Sequence, residues 1–79
     1  MNIGDKVKFT KVTEYNGAYF RVRQVGYIRG FGPGSLVQVE FVVPVCNRLG
    51  QWFNPGDGRH MFALPKYLLL NNATITEVP

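Results

Sequence analysis

A glycine cluster at residues 30–34, with the sequence GFGPG, looks at first like a loop that binds the phosphates of a nucleotide. A phosphate-binding loop needs a strand before it and a helix after it, so that backbone amides and the helix dipole face the phosphates. The residues that follow, 36–43, alternate in polarity and predict a strand instead. Pro33-Gly34 is typical of a type II turn. The cluster therefore predicts a hairpin turn and no nucleotide loop.

Nucleophilic or metal chemistry would have to come from Cys46, Asp57 and His60, because the chain has one cysteine and one histidine. Their spacing matches no catalytic arrangement, and neither a Cys-x-x-Cys nor a His-x-x-x-His pair is present. A lone cysteine is more often a small buried apolar residue. No catalytic residue, metal or cofactor is predicted, and we do not expect an enzyme.

The composition predicts one ordered and basic domain over residues 1–79. Hydrophobic residues make up 46% of the chain, which is enough to build a core. Nine Lys and Arg against five Asp and Glu give a net charge of +4, which favours nucleic acid or an acidic protein surface as partner. The single cysteine, the absence of a signal-peptide pattern and the short apolar runs predict a cytoplasmic protein with no membrane segment.

The apolar residues recur with a period of two, which predicts short strands. Val7 and Phe9 form the buried face of a first strand, with Ile3 on the same phase and lysines outside. Tyr15-Asn16-Gly17 predicts a turn before a second strand that starts at Ala18. Its apolar phase slips near Gly26, which predicts a bulge or a bend there. The clearest strand has Val37, Val39, Phe41 and Val43 on one face.

Short strands are also predicted at residues 51–53, 60–64 and 74–78, with a single helical turn starting at Pro65. The predicted fold is all-β: a small barrel of five to six short antiparallel strands with one single-turn helix before the last strand. The opening GDKVKF, the long first loop, the hairpin near residue 30 and FALPKYLLL resemble the SH3-like barrels. That resemblance implies a fold but no single function, because these barrels bind peptides, nucleic acids and ribosomes.

A second resemblance is to the plasmid-type trimethoprim-resistant dihydrofolate reductases, which are tetramers of barrels of this size. It is carried by GDKV and by the order of the later strands. That family's V-Q-I-Y strand is replaced here by His60-Met61-Phe62-Ala63, so its active site is not carried over. What the resemblance implies is a small-molecule site at an oligomer interface, lined by residues 60–64 of several chains.

Two surfaces are candidates for binding. The first combines basic and aromatic residues that could contact phosphates and stack on bases: Lys6, Lys8, Tyr19, Arg21 and Arg23. Its structural alternative is an ordinary solvated sheet face. The second is a set of aromatics near predicted turns: Tyr27, Phe31, Trp52 and Phe53. Their structural alternative is closure of one end of the barrel.

The leading functional hypothesis is a non-enzymatic module that binds nucleic acid through the basic face. The alternative is a protein-interaction or homo-oligomerising module that uses the aromatic set, of a size that would suit a mobile element. Burial of an aromatic patch in an oligomer would also stabilise a chain of 79 residues.

Overall fold

The computed structural model describes residues 1–52 and 60–78, which are mostly strands. Within these ranges, seven strands and one helix follow one another as β1 (Lys6–Phe9), β2 (Thr13–Tyr15), β3 (Ala18–Phe20), β4 (Val25–Phe31), β5 (Leu36–Phe41), β6 (Met61–Pro65), α1 (Lys66–Asn72) and β7 (Ala73–Thr76). The predicted all-β class is confirmed. Within the described ranges, no helix has the length and apolar character needed to cross a membrane.

Five strands form one antiparallel sheet in the order β6-β5-β4-β1-β7, and β2 pairs with β3 in a separate two-stranded sheet. β1 lies between β4 and β7, so the first and last strands are neighbours. β4 and β5 form the hairpin predicted at the glycine cluster, where Gly34 adopts a φ of 66°. The Asn16-Gly17 turn is also confirmed, and its φ values of 49° and 84° suit a two-residue β-hairpin.

The core lies on the apolar face that the alternating pattern predicted. Val7 and Phe9 of β1 are buried, as are Val37, Val39 and Phe41 of β5. Other buried apolar residues come from the remaining elements and, for Val45, from the chain after β5: Ala18, Phe20, Ile28, Val45, Leu64, Leu68 and Leu69. The rings of Phe9 and Phe41 each lie near that of Phe20, with centroids 5.0 Å away in both cases. Phe20 thus attaches the two-stranded sheet to the five-stranded one.

Two strands are shorter than the apolar pattern suggested, β1 at its start and β5 at its end. Ile3 is 65% exposed, because the chain turns at Gly4, whose φ is 95°, before β1 begins. Val43 is exposed as well, because β5 ends at Phe41. The helix is longer than predicted: α1 has seven residues rather than a single turn, and it buries Leu68 and Leu69.

The predicted second strand is two strands, which raises the strand count above the predicted five to six. β3 ends at Phe20, residues 21–24 form a turn, and β4 begins at Val25 in the other sheet. The phase slip in the sequence is this turn, and the predicted bulge at Gly26 is wrong. Gly26 sits in regular register between Val7 and Phe41. The register shifts instead between Ile28 and Gly30.

Candidate functional site

Four basic residues lie around the end of β1, and we name them the basic corner: Lys8, Lys11, Arg21 and Arg23. Two backbone hydrogen bonds attach the turn at residues 21–24 to β1. The N–H of Arg23 donates to the Phe9 carbonyl at 2.8 Å, and the Phe9 N–H donates to the Gln24 carbonyl at 3.0 Å. Lys8 lies just before Phe9 in the sequence, and Lys11 lies two residues after it. The two lysines and the two arginines of the turn therefore lie at the same corner of the sheet. All four side chains are exposed.

Arg23 adopts a backbone conformation that L-residues rarely adopt. Its φ is 73°, in a turn closed by the Gln24 N–H, which donates to the Arg21 carbonyl at 3.1 Å. The Gln24 side chain accepts a further hydrogen bond from the Arg21 N–H at 3.0 Å. The third residue of such a turn is usually Gly or Asn, because positive φ costs a Cβ-bearing residue free energy. Strained backbone conformations cluster at functional sites, so the exposed Arg23 is a candidate functional residue.

The outer face of the five-stranded sheet continues from the basic corner. Lys6 pairs with Tyr27 of β4 on one side and with Thr76 of β7 on the other. Directly paired residues of antiparallel strands point to the same face, so these three side chains form a row. Tyr27 is half-buried within it. This aromatic–basic juxtaposition joins strands far apart in the sequence, so no local pattern could reveal it.

Three of the four acidic residues in the described ranges accept hydrogen bonds from groups outside the basic corner. Glu14 accepts a hydrogen bond from Arg48, and Glu40 accepts one from Arg29 Nε at 2.9 Å. Asp5 is buried and accepts a hydrogen bond from the Asn2 N–H at 2.8 Å. In residues 1–52 and 60–78, no carboxylate comes within ion-pair distance of Lys6 or of the four corner cations. The corner therefore carries uncompensated positive charge.

The basic candidates do not share one strand face as expected. Lys6 and Lys8 do share the outer face of β1, but Arg21 and Arg23 belong to the turn that follows β3. Tyr19 lies on the two-stranded sheet, paired with Glu14 and bridged to Cys46. The structure brings the arginines to the lysines through the turn at Phe9 and puts Tyr27, not Tyr19, beside Lys6. Lys11 was missed, although Lys6, Lys8 and Lys11 form a basic run in the sequence.

The aromatic candidates do not form one patch either. Tyr27 pairs with Glu40, whereas Phe31 pairs with the buried Val37, because the register shift between them reverses the alternation. Tyr27 and Phe31 therefore point to opposite faces of the sheet, and Phe31 is 52% exposed. Trp52 is 75% exposed, so it does not close the core. Phe53 lies outside the described residues.

A groove of about 340 Å³ lies beside Tyr27 on the outer face, and we name it the outer groove. Its walls are Tyr27, Arg29, Glu40, Phe41, Val42 and His60. The Arg29 guanidinium lies 5.6 Å from the centre of the Tyr27 ring. The Trp52 ring meets the His60 ring edge-to-face, with centroids 6.5 Å apart. Trp52 therefore lies next to a wall residue of the groove that Tyr27 lines, and no sequence pattern indicated that Arg29, Glu40 or His60 would join them.

The structure describes two of the three residues considered from sequence for metal or nucleophilic chemistry, Cys46 and His60. Residues 1–52 and 60–78 contain no group of three His, Cys, Asp or Glu side chains that could hold a metal ion. The Cys46 thiol lies 3.8 Å from the Pro44 carbonyl and is half-buried. Asp57, the third residue of the set considered from sequence, lies outside the described residues. What the arrangement can do is bind anions at the basic corner and a flat, polar group in the outer groove.

Comparisons with protein-family models, with curated proteins and with solved structures find no match for this chain. A functional assignment therefore rests on the geometry of its own residues.

Proposed function

We propose that this protein is a non-enzymatic module that binds nucleic acid through the basic corner and Lys6. The observation that carries the proposal is the clustering of four exposed cations at the Phe9 end of β1, with Lys6 on the same strand and no carboxylate of the described residues paired to any of the five. Exposed lysines and arginines of this kind neutralise phosphates and release counterions, which supplies most of the affinity for nucleic acid.

Neighbouring side chains suit contact with a sugar-phosphate backbone. Thr74 pairs with Lys8, and Thr76 pairs with Lys6, so both hydroxyls lie on the same outer face as the lysines. Hydroxyl groups commonly donate to phosphate oxygens and fix the register of a bound strand without reading its sequence. A strand that crosses this face from the corner towards Lys6 would meet cations and hydroxyls in turn.

We interpret the sheet as a small SH3-like barrel. Support comes from β1 lying between β4 and β7, from the β4–β5 hairpin and from the passage from β6 through α1 to β7. This interpretation is compatible with nucleic-acid binding but does not select it, because such barrels serve many functions. The proposal therefore depends on the charge distribution.

The test is a fluorescence-anisotropy titration with short labelled oligonucleotides, single-stranded and duplex, between about 50 mM and 200 mM salt. Five phosphate contacts at roughly −0.7 each should give a slope of about −3.5 for log affinity against log salt with a single strand. The double variant Lys8→Glu/Arg23→Glu should bind much more weakly and reduce that slope to about −2 or less negative.

The control is Lys66→Glu, which reverses one charge at an exposed residue, whereas the double variant reverses two. The Lys66 N–H donates to the Ser35 carbonyl at 2.7 Å, so Lys66 lies at the hairpin end of β4, opposite to the basic corner. This control should lose little affinity. A loss of log affinity in Lys66→Glu that reaches half the loss in the double variant would mean that only net charge matters, and the basic corner would not be the site.

A second candidate function, self-association or binding of a protein partner, is favoured by one observation on α1. Tyr67 and Leu70 are exposed, and their i, i+3 spacing puts them on the same side of the helix. Light scattering of the wild type and of Leu70→Asn checks it. A dimer that becomes monomeric in the variant would support this function, and a wild-type monomer at high concentration would remove self-association.

A further inference from the structure

The outer groove joins the proposed nucleic-acid face at a single residue. Tyr27 is the cross-strand partner of Lys6 and also forms one wall of the groove. A strand whose phosphates lie on Lys6 and the basic corner would therefore have a base within reach of the groove. The groove volume of about 340 Å³ falls in the range of roughly 300–1,000 Å³ that is typical of small-molecule sites.

The aromatic groups at the groove suit a planar ring. Trp52 is 75% exposed and contacts the His60 ring at the groove wall. Tryptophan has a large apolar surface, and such an exposed ring next to a groove is a platform on which a base can stack. Tyr27 offers a second aromatic surface in the groove wall, beside the Arg29 guanidinium.

The polar groups in the groove have a definite hydrogen-bonding pattern. Arg29 Nε donates to Glu40 Oε1 at 2.9 Å, so the second carboxylate oxygen of Glu40 and the terminal N–H groups of Arg29 are not used by this bond. Both side chains are partly exposed to the groove. A carboxylate only accepts hydrogen bonds, and a guanidinium only donates them. The groove therefore presents an acceptor next to donors.

We propose that the outer groove binds one unstacked guanine base, with Glu40 accepting from its N1–H and N2–H₂ groups and Arg29 donating to its O6. This inference rests on the proposed function, since it names the base that the bound strand places in the groove. Guanine is the base with two adjacent donors on its Watson–Crick edge. Adenine, cytosine and uracil each place at least one acceptor there, which would face the Glu40 carboxylate.

The experiment uses Trp52 as the reporter, because it is the only tryptophan in the chain. Its fluorescence is followed while GMP, AMP, CMP and UMP are added separately. The four probes carry the same charge, so differences between them report the base and not the basic corner. GMP should quench the fluorescence and bind roughly 5- to 150-fold more tightly than the others, which is the discrimination expected of a good bidentate contact.

Two variants sharpen the test. Glu40→Gln should abolish the preference for GMP, because an amide presents a donor as well as an acceptor. Glu14→Gln is the matched control: it breaks the other exposed ion pair, with Arg48, and should keep the preference. Circular dichroism confirms that each variant is folded.

The outcomes separate this inference from the proposed function. Oligonucleotide binding without any preference among the four nucleotides, or with a preference for AMP, would overturn the guanine site and leave the basic corner standing. A GMP preference that survives Glu40→Gln would overturn the assigned contacts. A GMP preference that is lost only in Glu40→Gln, and kept in Lys8→Glu/Arg23→Glu, supports the site.

Discussion

Replacement of Arg23 by glycine should stabilise the fold and weaken nucleic-acid binding at the same time. The φ of 73° costs an L-residue about 1–2 kcal/mol and costs glycine almost nothing. Glycine loses roughly 0.5–1 kcal/mol more conformational freedom on folding, so a net gain of about 0.5–1 kcal/mol remains. The exposed side chain contributes little packing. In a domain of 79 residues this gain raises Tm by roughly 2–8 °C.

The binding half of the same prediction follows from the charge that is removed. Loss of one phosphate contact should make the salt slope less steep by about 0.7 with a single strand. Thermal and urea unfolding measure the stability, and anisotropy measures the binding. Arg23→Lys is the control: it keeps both the charge and the strained backbone, so its stability and salt slope should stay close to the wild type.

The stability prediction and the binding prediction for Arg23→Gly can fail independently of each other. A lower Tm for Arg23→Gly would show that the turn at residues 21–24 is held by the arginine side chain and that no strain is relieved. An unchanged salt slope would show that Arg23 touches no phosphate. Gains in stability with losses in binding, seen together, would explain why arginine occupies a position that favours glycine.

Three further changes test the packing on which this surface rests. Gly26→Ala should destabilise the fold by about 1–3 kcal/mol, because a Cβ would lie 2.6 Å from Val39 Cγ1; differential scanning calorimetry measures the change. Gly30→Ala is its control on the same strand and should be nearly neutral, because the nearest atom is the flexible end of the Gln38 side chain at 3.1 Å. Phe20→Ala should cost about 3–5 kcal/mol in urea titration, a large part of the roughly 4–12 kcal/mol expected for a chain of 79 residues, since Phe20 joins the two sheets. Trp52→Ala should change the unfolding free energy by less than about 0.5 kcal/mol while weakening the binding of GMP measured by calorimetry; a clear loss of stability would mean that Trp52 belongs to the core.

The strands that sequence predicts well are those whose register depends on one buried face. Val7 with Phe9, and Val37 with Val39, alternate with polar residues, and burial of that face fixes both strands. The turn at residues 21–24 escaped prediction for the opposite reason. Arg23 carries no turn signal, so the phase slip looked like a bulge within one strand. A sequence pattern cannot tell a bulge from a turn when the turn lacks glycine.

The candidate site was predictable only in part, because half of it depends on which strands are neighbours. Charge and the basic run at Lys6 and Lys8 pointed to β1, the strand on which the candidate site is centred. The pairing of Lys6 with Tyr27 is a contact between distant segments, as is the attachment of Arg23 to Phe9. Local patterns fix the face on which a residue lies, but the pairing of strands decides its neighbours.

The register shift at Arg29 determines the face of the sheet on which Tyr27 and Phe31 each lie. Without it, Tyr27 and Phe31 would share one face, and the aromatic set would form one apolar patch, as a protein-interaction module requires. With it, Phe31 turns to the side of Val37, and Tyr27 stays in the row of Lys6. The extra residue on β4 is Arg29 itself, whose side chain then meets Glu40 in the outer groove. One irregularity therefore removes an aromatic from the outer face and supplies the polar pair that would read a base there.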